Sequence, residues 1–527
     1  MALWSFFFIS KVILHYRGHL QFDGFLNVLM GLYAILPWAA SRSVGLSIRK
    51  NSGITTLHGG FGLALGVMLL WHDSYFPPVK SLYHYLSDPV TRPSNDFLFQ
   101  FVMNYWNPFV FAVLVAIYWI CRVSAKKWNL APAVALVVAA TTAHGALTRK
   151  TVRTDLALPS SSISGFGSGV LSLESPGKKD APFDVLILQV CSLSAEDLAH
   201  TGMSGHSFFD GFDLRFSNFN TATSYSTPAA LRLLQALCGQ ARHEGLFQGV
   251  PASCMLLEGL RSAGYRTSTV FNHEGKLSIK MANELVTYAK ADLPMPISGL
   301  SQKEVSYDKS PVYGNFDVLE QWWKQRLSSS GPRAALYYNT VSLHVGNHLA
   351  HDSRPWWKQE KSATYRELLE KTLSDFDRFF RLLEESNRDV LVIMVSEHGA
   401  ALAGSEIQGP DLRDIPLPKL TLVPMGVKLI GNGWKKSAPV RIEDLVSYSV
   451  IPRVINLATK HHSLGDSFSG GEFSGVSESR FFAENADAAT LIRDQELFYQ
   501  GKDRVWKSLP AQHIPESLKT VLQSRSP

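Results

Sequence analysis

No stretch of this 527-residue chain combines a basic stripe with interleaved aromatics, so its formal net charge of +6 is spread too thinly to indicate a nucleic-acid partner. A phosphate loop is missing too: the glycines of "SSSISGFGSGVLSLESPGKKD" (160 to 180) follow no strand and precede no Lys-Ser/Thr pair. The first apolar run, Leu3 to His15, lacks a small-residue cleavage site, which argues against a removable signal peptide. Cysteine is scarce, with four residues at Cys121, Cys191, Cys238 and Cys254.

What is present divides in two. Up to about residue 147 the chain is a series of apolar runs, and the remainder has charges throughout. Ile54 to Trp71, Phe101 to Cys121 and Ala131 to Leu147 approach the length needed to cross a bilayer. Phe25 to Trp38 qualifies with Ala39 and Ala40 included, and Leu3 to His15 is short and interrupted by Lys11, so five spans are expected, or four. Arg42, Arg49 and Lys50 in one loop and Arg122, Lys126 and Lys127 in another belong on the cytoplasmic side, which carries everything after residue 150 outside the cytoplasm; Arg149, Lys150 and Arg153 run against this rule. The expected organisation is a transmembrane helical domain over 1–148, a Ser/Gly-rich linker over 149–181 and a catalytic domain over 182–527. In that compartment disulfides persist, and Cys238 and Cys254 are expected to pair. Cys121 sits in a span, and Cys191 is left alone.

In the second half, "FDVLILQV" (183 to 190), "AALYYNTVSLH" (334 to 344), "DVLVIMVSE" (389 to 397) and "TLVPMGVKLIG" (421 to 431) are apolar on both faces, as in the middle of a covered sheet. Helical patterns lie at 226–238, 252–263, 315–328 and 364–385. Their alternation predicts a three-layer α/β/α domain, with chemistry beyond the carboxyl ends of the strands.

At those ends stand Cys191, then His344 with His348, then Glu397 and His398, with Arg413 following. A single histidine at a strand end is ordinary; several chemical residues at consecutive ends are not. Cys, Glu and His are all zinc ligand types, and three protein ligands leave a fourth position open. Glu397 and His398 are neighbours that a regular strand points to opposite faces, so sharing one ion requires the strand to end and the chain to turn, as Gly399 permits. The stretch "SYSTPAALRLLQALCG" (224 to 239) opens with four hydroxyls; Thr227 before Pro228 suits a helix cap, which leaves Ser226 free to occupy the fourth position and be activated as a nucleophile.

The motifs "QVCSLS", "NFNTATSYSTPAALRLL", "LCGQ", "YNTVSLHVGNH", "EHGAALAG" and "LRDIPLP" occur in the order found in the phosphoethanolamine transferases of the alkaline phosphatase superfamily, and resemble most the branch that modifies bacterial cellulose. One departure is "SEHGA", where that branch has proline and a second glycine. The resemblance implies Ser226 as nucleophile, Cys191, Glu397 and His398 as zinc ligands with Ser226 beside them, and His344 and Arg413 holding the phosphoryl or leaving group, with Tyr225 nearby. It also implies a Cys238–Cys254 disulfide, phosphatidylethanolamine as donor, the glucose C6 hydroxyl of cellulose as acceptor, cellulose synthase complex subunits as partners, and a multi-pass protein of the bacterial inner membrane with its catalytic domain in the periplasm. A hydrolase of the same superfamily and a non-catalytic scaffold are the alternatives. His206, His243 and His273 read as surface or loop residues, with His273 a candidate for the border of an acceptor groove. After about residue 455, only "ELFYQGKDRVWKSLP" suggests structure, a small terminal hairpin.

Overall fold

The computed structural model describes residues 2–16, 20, 24–43, 52–74 and 108–127, isolated positions between 83 and 140, 171–175, and 183–523 except positions 330, 332, 353, 355–359, 406, 436–437, 464–479 and 502–503. The chain forms two compact units, the first made mainly of residues 1–87 and 101–152 and the second holding nearly all the rest.

The first unit contains α1 (Ala2–Tyr16), α2 (Gly24–Ser43), α3 (Ser52–Asp73) and α4 (Pro108–Lys127). Among the described residues, no helix is long and apolar enough to cross a membrane. This corrects the expected bundle of four or five spans and, with it, the multi-pass inner-membrane location. The physical reasons lie in the helices themselves. At 15 residues α1 is about 22 Å long against roughly 30 Å of hydrocarbon. Polar and glycine residues dilute α3, while α2 and α4 run out in Ser-Arg-Ser and Lys-Lys. Of the Phe101 to Cys121 run, α4 takes in the part from Pro108 on, and most of what precedes it lies outside the described residues. Lys11, set inside the first apolar run, is buried in a polar knot: its Nζ lies 2.7 Å from Asp73 Oδ2 and donates to Asn27 Oδ1, whose amide donates in turn to Asp73. Ala131 to Leu147 falls almost entirely outside the described residues, as do Arg49, Lys50, Arg149, Lys150 and Arg153.

The second unit carries strands β1 (Phe183–Cys191), β2 (Leu214–Asn220), β3 (Arg266–Phe271), β4 (Gln302–Val305), β5 (Pro311–Tyr313), β6 (Ala334–Thr340), β7 (His348–Leu349), β8 (Asp389–His398), β9 (Leu422–Ile430), β10 (Val440–Val446), β11 (Phe482–Glu484), β12 (Ala489–Arg493), β13 (Glu496–Gln500) and β14 (Trp506–Leu509). Seven form the main sheet in the order β10-β2-β9-β8-β1-β6-β3. The apolar runs become its centre, with β8, β1 and β6 parallel and β9 antiparallel to β8.

Successive side chains of β1 enter different cores, as a period of two requires. Phe183, Val185 and Ile187 pack with α6 (Ser226–Leu234), α7 (Leu256–Ser262), α8 (Lys276–Ala289) and α11 (Val450–His461). Leu186, Leu188 and Val190 pack on the other face with α5 (Ala195–His200), α9 (Asn315–Ser328) and α10 (Lys361–Glu385). The domain is therefore three layers, α/β/α. Helix α10 follows its apolar stripe, burying Leu368, Leu369, Leu373, Phe376, Phe379, Phe380 and Leu383, and its first turn is capped by the Glu360 carboxylate, which accepts from Ser362 and Ala363 N–H. Each such side chain stabilises by about 1.5–3 kcal/mol when fully buried.

Smaller sheets flank the main one: β5-β4-β7 and the antiparallel β11-β12-β13-β14, whose last pair is the terminal hairpin. Of the expected linker, the described piece at 171–175 is laid against the domain: Leu171 N–H donates to Leu237 O and Leu173 is buried. The rest of it lies outside the described residues.

Candidate metal and active site

The central strands β1 and β8 deliver the first three side chains. Their parallel register runs Val190 opposite Ser396, then Cys191 opposite His398, so Glu397 is an extra residue in a β-bulge. A bulge re-aims side chains. It brings Glu397 and His398 to one centre at the last two residues of β8, so the strand ends there as expected and the bulge adds the re-aiming. Gly399 serves close packing, since a Cβ there would sit 2.6 Å from Ser194 Oγ.

Cys191, Glu397 and His398 are buried, and one ligand atom from each lies within 4.8 Å of the others. Ser226 joins them from the first turn of α6, its Oγ 3.4 Å from Cys191 Sγ and 3.2 Å from His398 Nε2. Helix α6 starts one residue before Thr227: Tyr225 is its N-cap in an extended conformation and no side chain caps it. The expected Thr227 cap is thus not formed.

The protonation chemistry suits a cation site. Burial, then the charge of Glu397, pushes the Cys191 thiol up to about 12. Burial raises Glu397 as well, against the pull of Ser226, Asn339, Cys191 and Arg413. Burial and then Arg413 hold His398 well below the ordinary histidine range. A thiol and a carboxyl that resist ionisation beside a neutral imidazole become good ligands together once a divalent cation supplies the opposing charge. His398 Nδ1–H donates to Gly399 O at 2.9 Å, which fixes the tautomer with the Nε2 lone pair facing Ser226 and Cys191. Glu397 Oε1 accepts from Asn339 Nδ2 at 2.6 Å, while Oε2 has no hydrogen bond of ordinary geometry and lies 3.9 Å from His398 Nε2. The donor set and this free carboxylate oxygen fit zinc.

Arg413, on the loop after β8, places Nη1 within 3.4 Å of both His398 ring nitrogens. His344 stands after β6 with its ring stacked on Tyr307 at 4.3 Å and Nδ1–H donating to Val345 O at 2.8 Å. Burial and then Arg413 push it down to about 3. Its charge would oppose protonation of His398. His273 is buried, lowered to about 4 by burial, and acts on His344 in the same way. It lies in the loop after β3 but is not at the surface. Tyr225 is 37% exposed and its hydroxyl donates to Asp414 Oδ1, away from the three ligands. His348 lies on β7 in the small sheet, and His206 accepts from Phe208 N–H at a short helix start. Cys238 and Cys254 are bonded to each other, 16 positions apart.

Sequence reasoning missed the supports. Beneath Glu397 runs a buried polar chain: Asn339 approaches Tyr337 Oη, Tyr337 donates to Gln189 Oε1, and Gln189 donates to Tyr448. Asp197 Oδ2 accepts from Ser194 Oγ and from Ala400 N–H, pinning the turn after His398. Asn485 braces the serine turn. Gln189 and Asn339 had a signal, being polar residues inside runs otherwise wholly apolar.

Residues 169–506 match the family described as cellulose biosynthesis protein BcsG C-terminal domain, and residues 4–142 match the BcsG N-terminal domain. The chain belongs to the BcsG family. BcsG of Escherichia coli (strain K12) is 30% identical over 505 residues, 86% of each chain. BcsG of Salmonella typhimurium (strain LT2) is 29% identical over 548 aligned positions, 95% of this chain and 94% of that one. Among solved structures, a protein in the alkaline phosphatase superfamily from Vibrio parahaemolyticus has a TM-score of 0.46 at 13% identity, covering 69% of this chain and 90% of its own. Every residue of the cluster falls within the BcsG C-terminal match.

Proposed function

We propose that this chain transfers phosphoethanolamine from phosphatidylethanolamine to the C6 hydroxyl of glucose units in cellulose, through a phosphoethanolamine ester on Ser226. The observation that carries the reading is the placing of Ser226 Oγ at the first turn of α6, within 3.4 Å of Cys191 Sγ and 3.2 Å of His398 Nε2. Membership of a family named for cellulose biosynthesis supports the acceptor.

Cys191 Sγ, Glu397 Oε2 and His398 Nε2 would hold zinc with Ser226 beside them. Zinc bound there supplies a lowered pKa for the serine hydroxyl and positive charge for the phosphoryl oxygens. In the first half-reaction Ser226 Oγ bonds to phosphorus as the bond to the diacylglycerol oxygen breaks, and the serine proton is carried off on the diacylglycerol hydroxyl. In the second, the glucose oxygen bonds to phosphorus, the bond to Ser226 breaks, and the glucose hydroxyl proton returns to the serine. The uncapped N–H groups of α6 and the Arg413 guanidinium face charge that builds on the phosphoryl oxygens. His344 is held neutral with its Nδ1–H committed to Val345, so Nε2 is an acceptor. That suits it to orient an incoming hydroxyl rather than to protonate a leaving oxygen.

Ser226→Ala tests the reading. Phosphorus NMR of cellulose made alongside the variant is expected to show phosphoethanolamine reduced by about a thousandfold or more. Modification at the native level would refute it.

A further inference from the structure

We propose that Asn485 is a positioning residue for this transfer, its carboxamide locking the serine-bearing turn to the arginine-bearing loop. The proposal rests on the reading of Ser226 and Arg413 given above. Asn485 lies in the turn between β11 and β12, 6% exposed, with its own N–H donating to Ala488 O. Its Oδ1 accepts from Thr223 Oγ1 at 2.8 Å and from Ser224 N–H at 3.2 Å. Its Nδ2 donates to Ser224 Oγ at 2.8 Å, to Arg413 O at 3.2 Å and to Asp414 O at 2.8 Å. The chemistry of the partners fixes the amide orientation: a backbone N–H can only donate and backbone carbonyls can only accept, so neither end can be exchanged. Ser224 Oγ completes the clamp by donating to Arg413 O at 2.5 Å.

Thr223 and Ser224 lie three and two residues before the nucleophile, and Arg413 and Asp414 are the loop residues whose first member reaches His398. One side chain therefore sets the distance between two groups that approach the phosphoryl from different parts of the fold. The hairpin that carries it is anchored to both parts: Glu484 N–H donates to Ala222 O, Phe482 O accepts from Asn220 Nδ2, and Thr490 Oγ1 donates to Pro416 O. Glu484 also accepts from Arg242 Nε at 2.7 Å. A displacement of about 1 Å between reacting groups costs on the order of a hundredfold in rate, so a clamp here acts on turnover more than on binding.

The test uses the full-length chain, a chromogenic aryl ester of phosphoethanolamine to follow phosphorylation of Ser226, and thermal unfolding. Asn485→Ala is expected to lower kcat about 10- to 100-fold with KM within about threefold. In an Arg413→Ala background the same change is expected to lower kcat less than about threefold further, because the clamp acts through Arg413, while the melting shift is the same in both backgrounds. Asn485→Asp keeps the acceptor toward Thr223 and Ser224 and loses both donors; it is expected to reproduce the fall in kcat, and it decides the matter if the alanine variant does not fold. A kcat within threefold of native in Asn485→Asp, or an equal fall with and without Arg413, overturns the proposal. Native activity in Ser226→Ala would sink the underlying reaction and this proposal together, whereas loss of activity in Ser226→Ala with an unimpaired Asn485→Asp overturns this proposal alone.

Discussion

Asn339→Ala should weaken zinc binding without touching a ligand. Asn339 is fully buried on β6, and its Nδ2 donates to Glu397 Oε1 at 2.6 Å, so the carboxylate is held by one short bond on the side away from the free Oε2. Truncation leaves Oε1 in a dry interior with nothing to accept from. Such an orphaned acceptor costs about 1–3 kcal/mol, and at 1.4 kcal/mol per tenfold that is about 5- to 150-fold in an equilibrium constant. The penalty falls most on the metal-bound form, where Glu397 must be an anion, a state that burial opposes. An expected loss of about 10- to 100-fold in zinc affinity follows, the range seen for partners of metal ligands elsewhere. Competition against a chromogenic chelator at fixed pH measures it, and transfer activity should recover at saturating zinc. Affinity within about threefold of native would refute both the role of Asn339 and the assignment of Glu397 as a ligand.

Replacing Cys238 and Cys254 by serine opens a loop of 16 positions and should lower stability by about 3 kcal/mol in denaturant unfolding, with zinc content unchanged. Asp184→Ala should cost about 3–5 kcal/mol, because Asp184 is fully buried, receives two bonds from Arg326 at 2.9 and 3.0 Å and one from Arg388 at 3.2 Å, and its removal strands the buried Arg326; a shift in the unfolding midpoint below that range would count against the pair as a core element.

The parts of this fold that could be read from the sequence are those in which local composition and tertiary role coincide. β1, β6, β8 and β9 are apolar on both faces because they lie inside the sheet, and hydropathy alone marks them. β2 ("LRFSNFN"), β3 ("RTSTVF") and β10 ("VRIEDLV") carry polar residues on alternate or edge positions and gave no such mark, although they complete the sheet. The first 147 residues show the opposite failure. Hydropathy reports how apolar a run is, and it does not report where the helix starts and stops or whether a lysine such as Lys11 finds a carboxylate, which here is Asp73. Ligand types at strand ends were visible because cysteine, glutamate and histidine fall together at several strand ends. Asn485 was not visible, since its partners lie some 70 and 260 positions away and nothing in "FFAENADAA" announces them.

The opening hydroxyls of "SYST" illustrate how position divides like chemistry. Ser224 Oγ is turned into the protein, between Asn485 and the Arg413 carbonyl, and braces. Tyr225 Oη reaches outward to Asp414. Only Ser226 lies against Cys191 and His398, and it does so because the helix begins two residues earlier than a Thr227 cap would allow. Had Thr227 been the cap, Ser226 would sit in the extended approach to the helix and its hydroxyl would leave the first turn. The bulge at Glu397 has the same logic on the opposing side. A regular β8 would send Glu397 and His398 to opposite faces of the sheet, one to each core, and no ion could bind both. Two small shifts, of two residues in a helix start and of one in a strand register, thus gather side chains that a regular fold would have kept apart.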